Sequence, residues 1–200
     1  MESTTAAAPE SIEPLPSAVP RPAPSAGGEP LSLRRVLAAV ALVAGSIWLD
    51  QITKRLAVEH LLGARPTELF FGLVRLTYAE NTGAWGSLGA HWPNALKLLA
   101  FVLAPGALLL GVLVYLLCAR AIRWSGVIAY ALIVGGGLGN LVDRVRAGSV
   151  VDFLYVGIGR VGTNIFNVAD VAVVAGVLLV LVTSRGAPPA QPASAPQIPS

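Results

Sequence analysis

The chain is short of several residues that would mark other kinds of enzyme. It has one cysteine, Cys118, which excludes an internal disulfide and a cysteine-rich metal site; that thiol reads as a small apolar packing residue. Its two histidines, His60 and His91, lack His-Glu-x-x-His spacing, and Ser87 lacks the first glycine of a Gly-x-Ser-x-Gly elbow, so the usual metallopeptidase and serine hydrolase signatures are missing. Charge is scarce: 12% of the 200 residues, against roughly 25% in an ordinary soluble domain. The fourteen Lys and Arg set a net charge of +3 but are scattered among loops, which argues against a nucleic-acid partner. No internal repeat of the transporter kind is evident, and the two halves carry different polar motifs.

What is abundant is apolar surface. Hydrophobic residues make up 54% of the chain and its mean hydropathy is +0.69, so the expectation is an integral, all-α membrane protein. Four stretches, residues 33–49, 95–118, 124–142 and 165–182, approach the roughly 20 helical residues that cross a hydrocarbon layer. They predict four transmembrane helices with both termini on one side. Seven prolines within residues 1–30 and five within 186–200 predict disordered tails around a membrane domain at 31–185. Residues 1–30 show no basic stretch leading into an early apolar core, so the first span is expected to be an uncleaved anchor.

Basic residues divide six to eight between the terminal side and the other side, a raw count that opposes cytoplasmic termini. The tight turn holding Arg120 and Arg123 without an acid carries more weight and favours termini in the cytoplasm. Between the first two spans, about residues 63–92, β-formers from Phe70 to Tyr78 followed by turn residues predict a small β-rich extracytoplasmic piece. Tyr78, Trp85 and Trp92 are residue types that settle at headgroup level, so this piece is expected to lie on the bilayer surface.

The polar motifs stand out against this background. Asp152 sits in Val151-Asp152-Phe153 and Asp170 closes Phe166-Asn167-Val168-Ala169-Asp170. A carboxylate at membrane depth costs a few kcal/mol or more and marks a candidate functional site; two that meet across a bundle suggest acid–base chemistry on a shared proton. The plainer reading of either alone is a helix cap or an interfacial acid. Asp50 and Lys54 are four residues apart, the spacing of an ion pair on one helical face; the pair either anchors the helix at the interface, shapes a polar site or holds a lipid headgroup. Asn81-Thr82-Gly83-Ala84-Trp85 packs hydrogen-bonding groups beside a glycine, as a turn or a close substrate approach requires. At the end of the third span, Gly139, Asn140, Asp143 and Arg144 fall within little more than one turn and predict a hydrogen-bonded scaffold in which the adjacent arginine occupies Asp143.

Taken in order, Asp50-Gln51-Ile52-Thr53-Lys54, Asn81-Thr82-Gly83-Ala84-Trp85, Gly139-Asn140-Leu141-Val142-Asp143-Arg144, Val151-Asp152-Phe153 and Phe166-Asn167-Val168-Ala169-Asp170 resemble the five sequence blocks of lipoprotein signal peptidases, the bacterial type II signal peptidases. Each block is weak alone; five in register are specific. The resemblance covers residues 50–170 and leaves the tails aside. Trp85 departs from it, standing where Phe or another apolar residue is expected.

The resemblance implies a bacterial inner-membrane aspartic endopeptidase with Asp152 and Asp170 as its catalytic dyad. It implies a monomer without cofactor or metal, surrounded by membrane lipid. Its substrate would be a diacylglyceryl-modified prolipoprotein, cut immediately before the lipidated cysteine on the extracytoplasmic side. Asp50, Lys54, Asn81, Gly83, Gly139, Asn140, Asp143, Arg144, Asn167 and Ala169 would bind substrate or support the site. A proton- or ion-coupled transporter is the competing reading, since it too places acids inside a membrane.

Overall fold

A computed structural model describes residues 32–84, 87–119, 122–158 and 161–184. The two tails, Trp85 and Arg120 lie outside them. Helix α1 spans Leu33–Leu61, β1 Thr67–Leu69 and β2 Val74–Asn81. Next come α2 (Asn94–Leu98), a π-helical turn (Leu99–Leu103) and α3 (Ala104–Cys118), which run on as one rod. Helix α4 spans Trp124–Ala147, β3 Val150–Ile158, β4 Val161–Gly162 and α5 Val168–Ser184.

Among the described residues three helices are long and apolar enough to cross a membrane: α1, the α2–α3 rod and α4. Against four expected spans, α5 is apolar but has 17 residues. The expected start at residue 165 fails because Phe166 is claimed by a β-bridge to Leu154. Helix α1 continues twelve residues past the expected end at 49, which carries the Asp50–Lys54 face within the helix. Apolar side chains such as Leu37, Leu108, Leu110 and Val174 are more than half exposed, while Ala39, Ala129, Ala131, Gly136, Ala169 and Gly176 are buried. Large residues outside and small ones within is how helices pack when lipid, not water, surrounds them. Helix α4 lies at the centre, packed against α1, α3 and α5.

The sheet is antiparallel in the order β1-β2-β3-β4. The expected insert at 63–92 supplies β1 and β2; the other two strands come from 150–162, between the third and fourth expected spans. The run from Phe70 is not all strand. Phe70 (φ 51), Phe71 (φ 57) and Gly72 (φ 85) form the turn between β1 and β2, so the strand begins at Val74. Left-handed backbone at three successive residues interrupts any ladder.

Candidate active site

Two pieces of local structure bring Asp152 and Asp170 to one place. Asp152 lies on β3 opposite Ala79 of β2, beyond an irregularity in register between Leu76 and Ala79. Four residues before Asp170 the chain is tied to the same strand: Phe166 donates its N–H to the Leu154 carbonyl at 2.8 Å, and its own carbonyl accepts from Leu154 at 2.8 Å and Phe153 at 3.0 Å. Helix α5 then starts at once. The Asn167 side-chain oxygen accepts from the Asp170 N–H at 3.0 Å, and the Asp170 carboxylate accepts from the Asn167 N–H at 3.1 Å. That reciprocal arrangement is a capping box, so the plainer reading of Asp170 as a capping acid is also true, and it engages Asp170 Oδ2 while leaving Oδ1 to a different partner.

Amide side chains fill the space between the acids. Asn167 Nδ2 donates to Asp152 Oδ1 at 2.7 Å and to Asn140 Oδ1 at 3.0 Å, while Asn140 Nδ2 donates to Asp170 Oδ1 at 2.8 Å. Asn81 Nδ2 reaches Asp152 Oδ2 at 3.2 Å. Both carboxyl groups are therefore held by neutral donors; Asp152 is 4% exposed and Asn167 fully buried, while Asp170 is partly buried. Burial pushes the Asp152 carboxyl up to about 6 from an ordinary 3.8; the amides of Asn81 and Asn167 oppose this and the nearby Asp170 carboxylate adds to it. A carboxyl group that rests near neutrality and a second acid beside it are the components of shared-proton catalysis.

Beneath the acids lies a charged base plate. Lys54 Nζ donates to Asp50 Oδ2 and to Asn140 Oδ1, both at 2.8 Å, and sits 2.6 Å from Asp143 Oδ2 in a close charge contact instead of a directed hydrogen bond. Asp50 and Lys54 are both buried, which sets aside the lipid-headgroup and interfacial-anchor readings of the pair. Asp50 Oδ1 accepts the Ala169 N–H at 3.0 Å, capping α5 from another helix. A carboxylate at a helix N-terminus is favoured by the unpaired N–H groups there.

One expectation needs correction. Asp143 is occupied by Lys54 and by Gln51, whose Nε2 donates to Asp143 Oδ1 at 2.8 Å, and not by its neighbour Arg144. Arg144 turns the other way: its Nη2 donates to the Gly83 carbonyl at 3.0 Å. Adjacent helical residues point about 100° apart, so they cannot share one contact face. Gly83 N–H in turn donates to Asn81 Oδ1 at 3.1 Å, which fixes the amide that faces Asp152. A Cβ on Gly83 would collide with the Leu88 carbonyl, so the loop closes only with glycine there.

The twelve residues named from the sequence as catalytic or site-supporting fall into this one connected set. The reading missed Gln51, whose signal was its place on the Asp50–Lys54 turn, and the backbone tie at Phe166, which has no side-chain signature. Beside Asp152 opens a cleft of about 440 Å³ walled by Asp152, Asn81, Glu80, Arg75, Tyr155 and Asn164 among others.

Two solved structures described as bacterial membrane enzymes share this fold. One aligns at TM-score 0.64 and 25% identity, covering 80% of this chain and 97% of that one; the other at TM-score 0.62 and 24% identity, covering 80% and 92%. Fold and site thus define a helical membrane protein of the bacterial membrane-enzyme type, with paired acids at the rim of its bundle. The signal peptidase (SPase) II family profile matches residues 42–185. Lipoprotein signal peptidases of Syntrophus aciditrophicus and Pelodictyon phaeoclathratiforme are each 36% identical to the chain, covering 77% of it and 92% of the first protein, and 68% of it and 83% of the second. That of Geobacillus thermodenitrificans is 33% identical over 70% of the chain and 85% of its own length. The chain belongs to the signal peptidase II family.

Proposed function

We propose that this protein is an aspartic endopeptidase that removes the signal peptide from diacylglyceryl-modified prolipoproteins, cutting immediately before the lipidated cysteine. Membership of the signal peptidase II family supports the peptidase activity and the substrate class. The observation that carries the catalytic assignment is Asn167, which grips Asp152 with its side chain and Asp170 with its backbone and so holds two acids of different segments together.

In the proposed reaction Asp152 holds the shared proton, in keeping with its raised position near 6, and Asp170 is the anionic partner at the α5 N-terminus. Asp170 takes a proton from water as the water oxygen bonds to the scissile carbonyl carbon. Asp152 gives its proton to the carbonyl oxygen, forming a neutral gem-diol. Return of that proton from the diol to Asp152 and transfer of the Asp170 proton to the leaving nitrogen break the C–N bond. The acid and the amine are released and the dyad is restored. Lys54, Asp50 and Asp143 touch none of the reacting atoms and position Asn140 and α5.

In the membrane, α5 is the fourth span: 17 residues rise about 25 Å, short of about 30 Å of hydrocarbon by an amount that local thinning absorbs. Both termini then lie in the cytoplasm, the tails 1–30 and 186–200 flank a membrane domain at 31–185, and sheet and site face the extracytoplasmic side. The enzyme works as a monomer in contact with lipid. The comparisons lend the transporter reading no support.

Purified protein in detergent, given a diacylated prolipoprotein, should release a signal peptide whose mass ends at the residue before the cysteine, and should leave the unlipidated precursor intact. Failure to cut either form, or equal cutting of both, would overturn the proposal.

A further inference from the structure

The cleft that opens onto Asp152 carries charge the dyad does not use. Arg75 is occupied: its Nη2 donates to Glu68 Oε1 at 3.1 Å, and its guanidinium sits 5.2 Å from the centre of the Tyr155 ring. Glu80 is different. It lies on β2 opposite Val151, one position along from the Ala79–Asp152 pair, lines the cleft and is exposed. Tyr78 donates its hydroxyl to Glu80 Oε1 at 2.6 Å, and Ser149 Oγ lies 3.4 Å from Oε2. Among the described residues the ion pairs are Asp50–Lys54, Lys54–Asp143 and Glu68–Arg75, so Glu80 has no cationic partner there. Burial, together with Glu80 itself, pushes the Tyr78 phenol up to about 12, so Tyr78 stays a donor and pins the carboxylate.

A carboxylate fixed by neutral donors, in the wall of a cleft that also takes in Asp152, is a reader of charge. Which part of the substrate it reads follows from polarity. The segment before the scissile bond is an apolar signal sequence that stays in the hydrocarbon, whereas the polar segment after the cysteine leaves the membrane. The cleft belongs to the sheet and is walled largely by polar side chains, so it suits the second segment. We infer that Glu80, held by Tyr78, is a specificity-determining residue that favours a lysine or arginine among the first residues following the cleaved cysteine and disfavours an acid there. The inference rests on the signal-peptidase reading above and adds to it a substrate preference.

The test uses three synthetic diacylated substrates identical except for Lys, Gln or Glu within the first three positions after the cysteine. They are cut by full-length wild type, Glu80→Gln, Glu80→Lys and Tyr78→Phe. The readout is the Lys-to-Glu ratio of kcat/KM within each enzyme, so partial loss of folded protein cancels. Wild type should prefer the lysine substrate by about five- to tenfold, the scale of one partly exposed ion pair set against a like-charge contact. Glu80→Gln should bring the ratio close to one, Glu80→Lys should invert it, and Tyr78→Phe should narrow it. A wild-type ratio of one, or the same ratio in Glu80→Lys, overturns the inference while leaving the peptidase reading intact. No cleavage of any substrate by wild type overturns both.

Discussion

Gly139 is a hydrogen wide because Asp50 needs the space: a Cβ built on it would stand 2.6 Å from Asp50 Oδ2. That contact joins α4 to α1 at the point where Asp50 reaches past to cap α5, so three helices converge on one missing side chain.

Gly139→Ala should therefore push Asp50 off both Lys54 and the Ala169 N–H. Overfilling a close-packed site costs about 1–3 kcal/mol, and here the displaced group is a buried carboxylate. Thermal unfolding in detergent should show the lower stability, with activity falling further than folding alone accounts for.

Lys54→Met keeps most of the side-chain volume and removes its charge, leaving Asp50 and Asp143 facing each other without a counter-ion. Breaking a buried ion pair from one side costs about 3–5 kcal/mol. The double variant Lys54→Met with Asp50→Asn should recover part of that loss. Additive losses would show that the pair is not coupled.

Asp170→Asn should fold, because an asparagine oxygen still accepts the Asn167 N–H that closes the capping box. Asp152→Asn keeps its shape on β3 and its oxygen can still accept from Asn167, the new amide nitrogen displacing only the longer contact from Asn81. Each should lose about a hundred- to ten-thousandfold in rate, the range for removing one proton-transfer group, while melting near the wild-type temperature. Full activity in either variant would remove that residue from the dyad.

The Asp152 position near 6 sets a pH limb. As pH rises through that value the shared proton is lost, so cleavage should decline on the alkaline side. The stability linked to this group has the same sign: the folded state binds the proton more tightly than the unfolded chain, so the contribution is complete below about 3.8 and gone above about 6. The Asn81 amide holds the value down, so Asn81→Ala should move the alkaline limb of kcat to higher pH. A limb that shifts downward would contradict the contact.

Much of the site was legible in the sequence because its chemistry is concentrated in side chains rare at membrane depth. Asp50, Lys54, Asn81, Asn140, Asp143, Asp152, Asn167 and Asp170 announce themselves against an apolar background. Their pairing was less legible. Asp143 lies next to Arg144 in the chain, yet it binds Lys54, because helical geometry separates neighbours and joins residues of different helices. The sheet was half read: the strand on which Asp152 sits pairs with residues seventy positions earlier, and no local periodicity encodes such a partner. Helix α5 begins after residue 165 because backbone groups of Phe166 were already spent on Leu154, a choice that hydropathy cannot express.

That spending has a consequence for how freely this protein can change. The interval between strand and helix, and with it the gap across which two acids must face each other, is measured out by main-chain N–H and C=O groups at positions 153, 154 and 166. Side chains at 154 and 166 can be exchanged without resetting that ruler. Proline at either of those two positions, having no N–H to offer, erases a graduation.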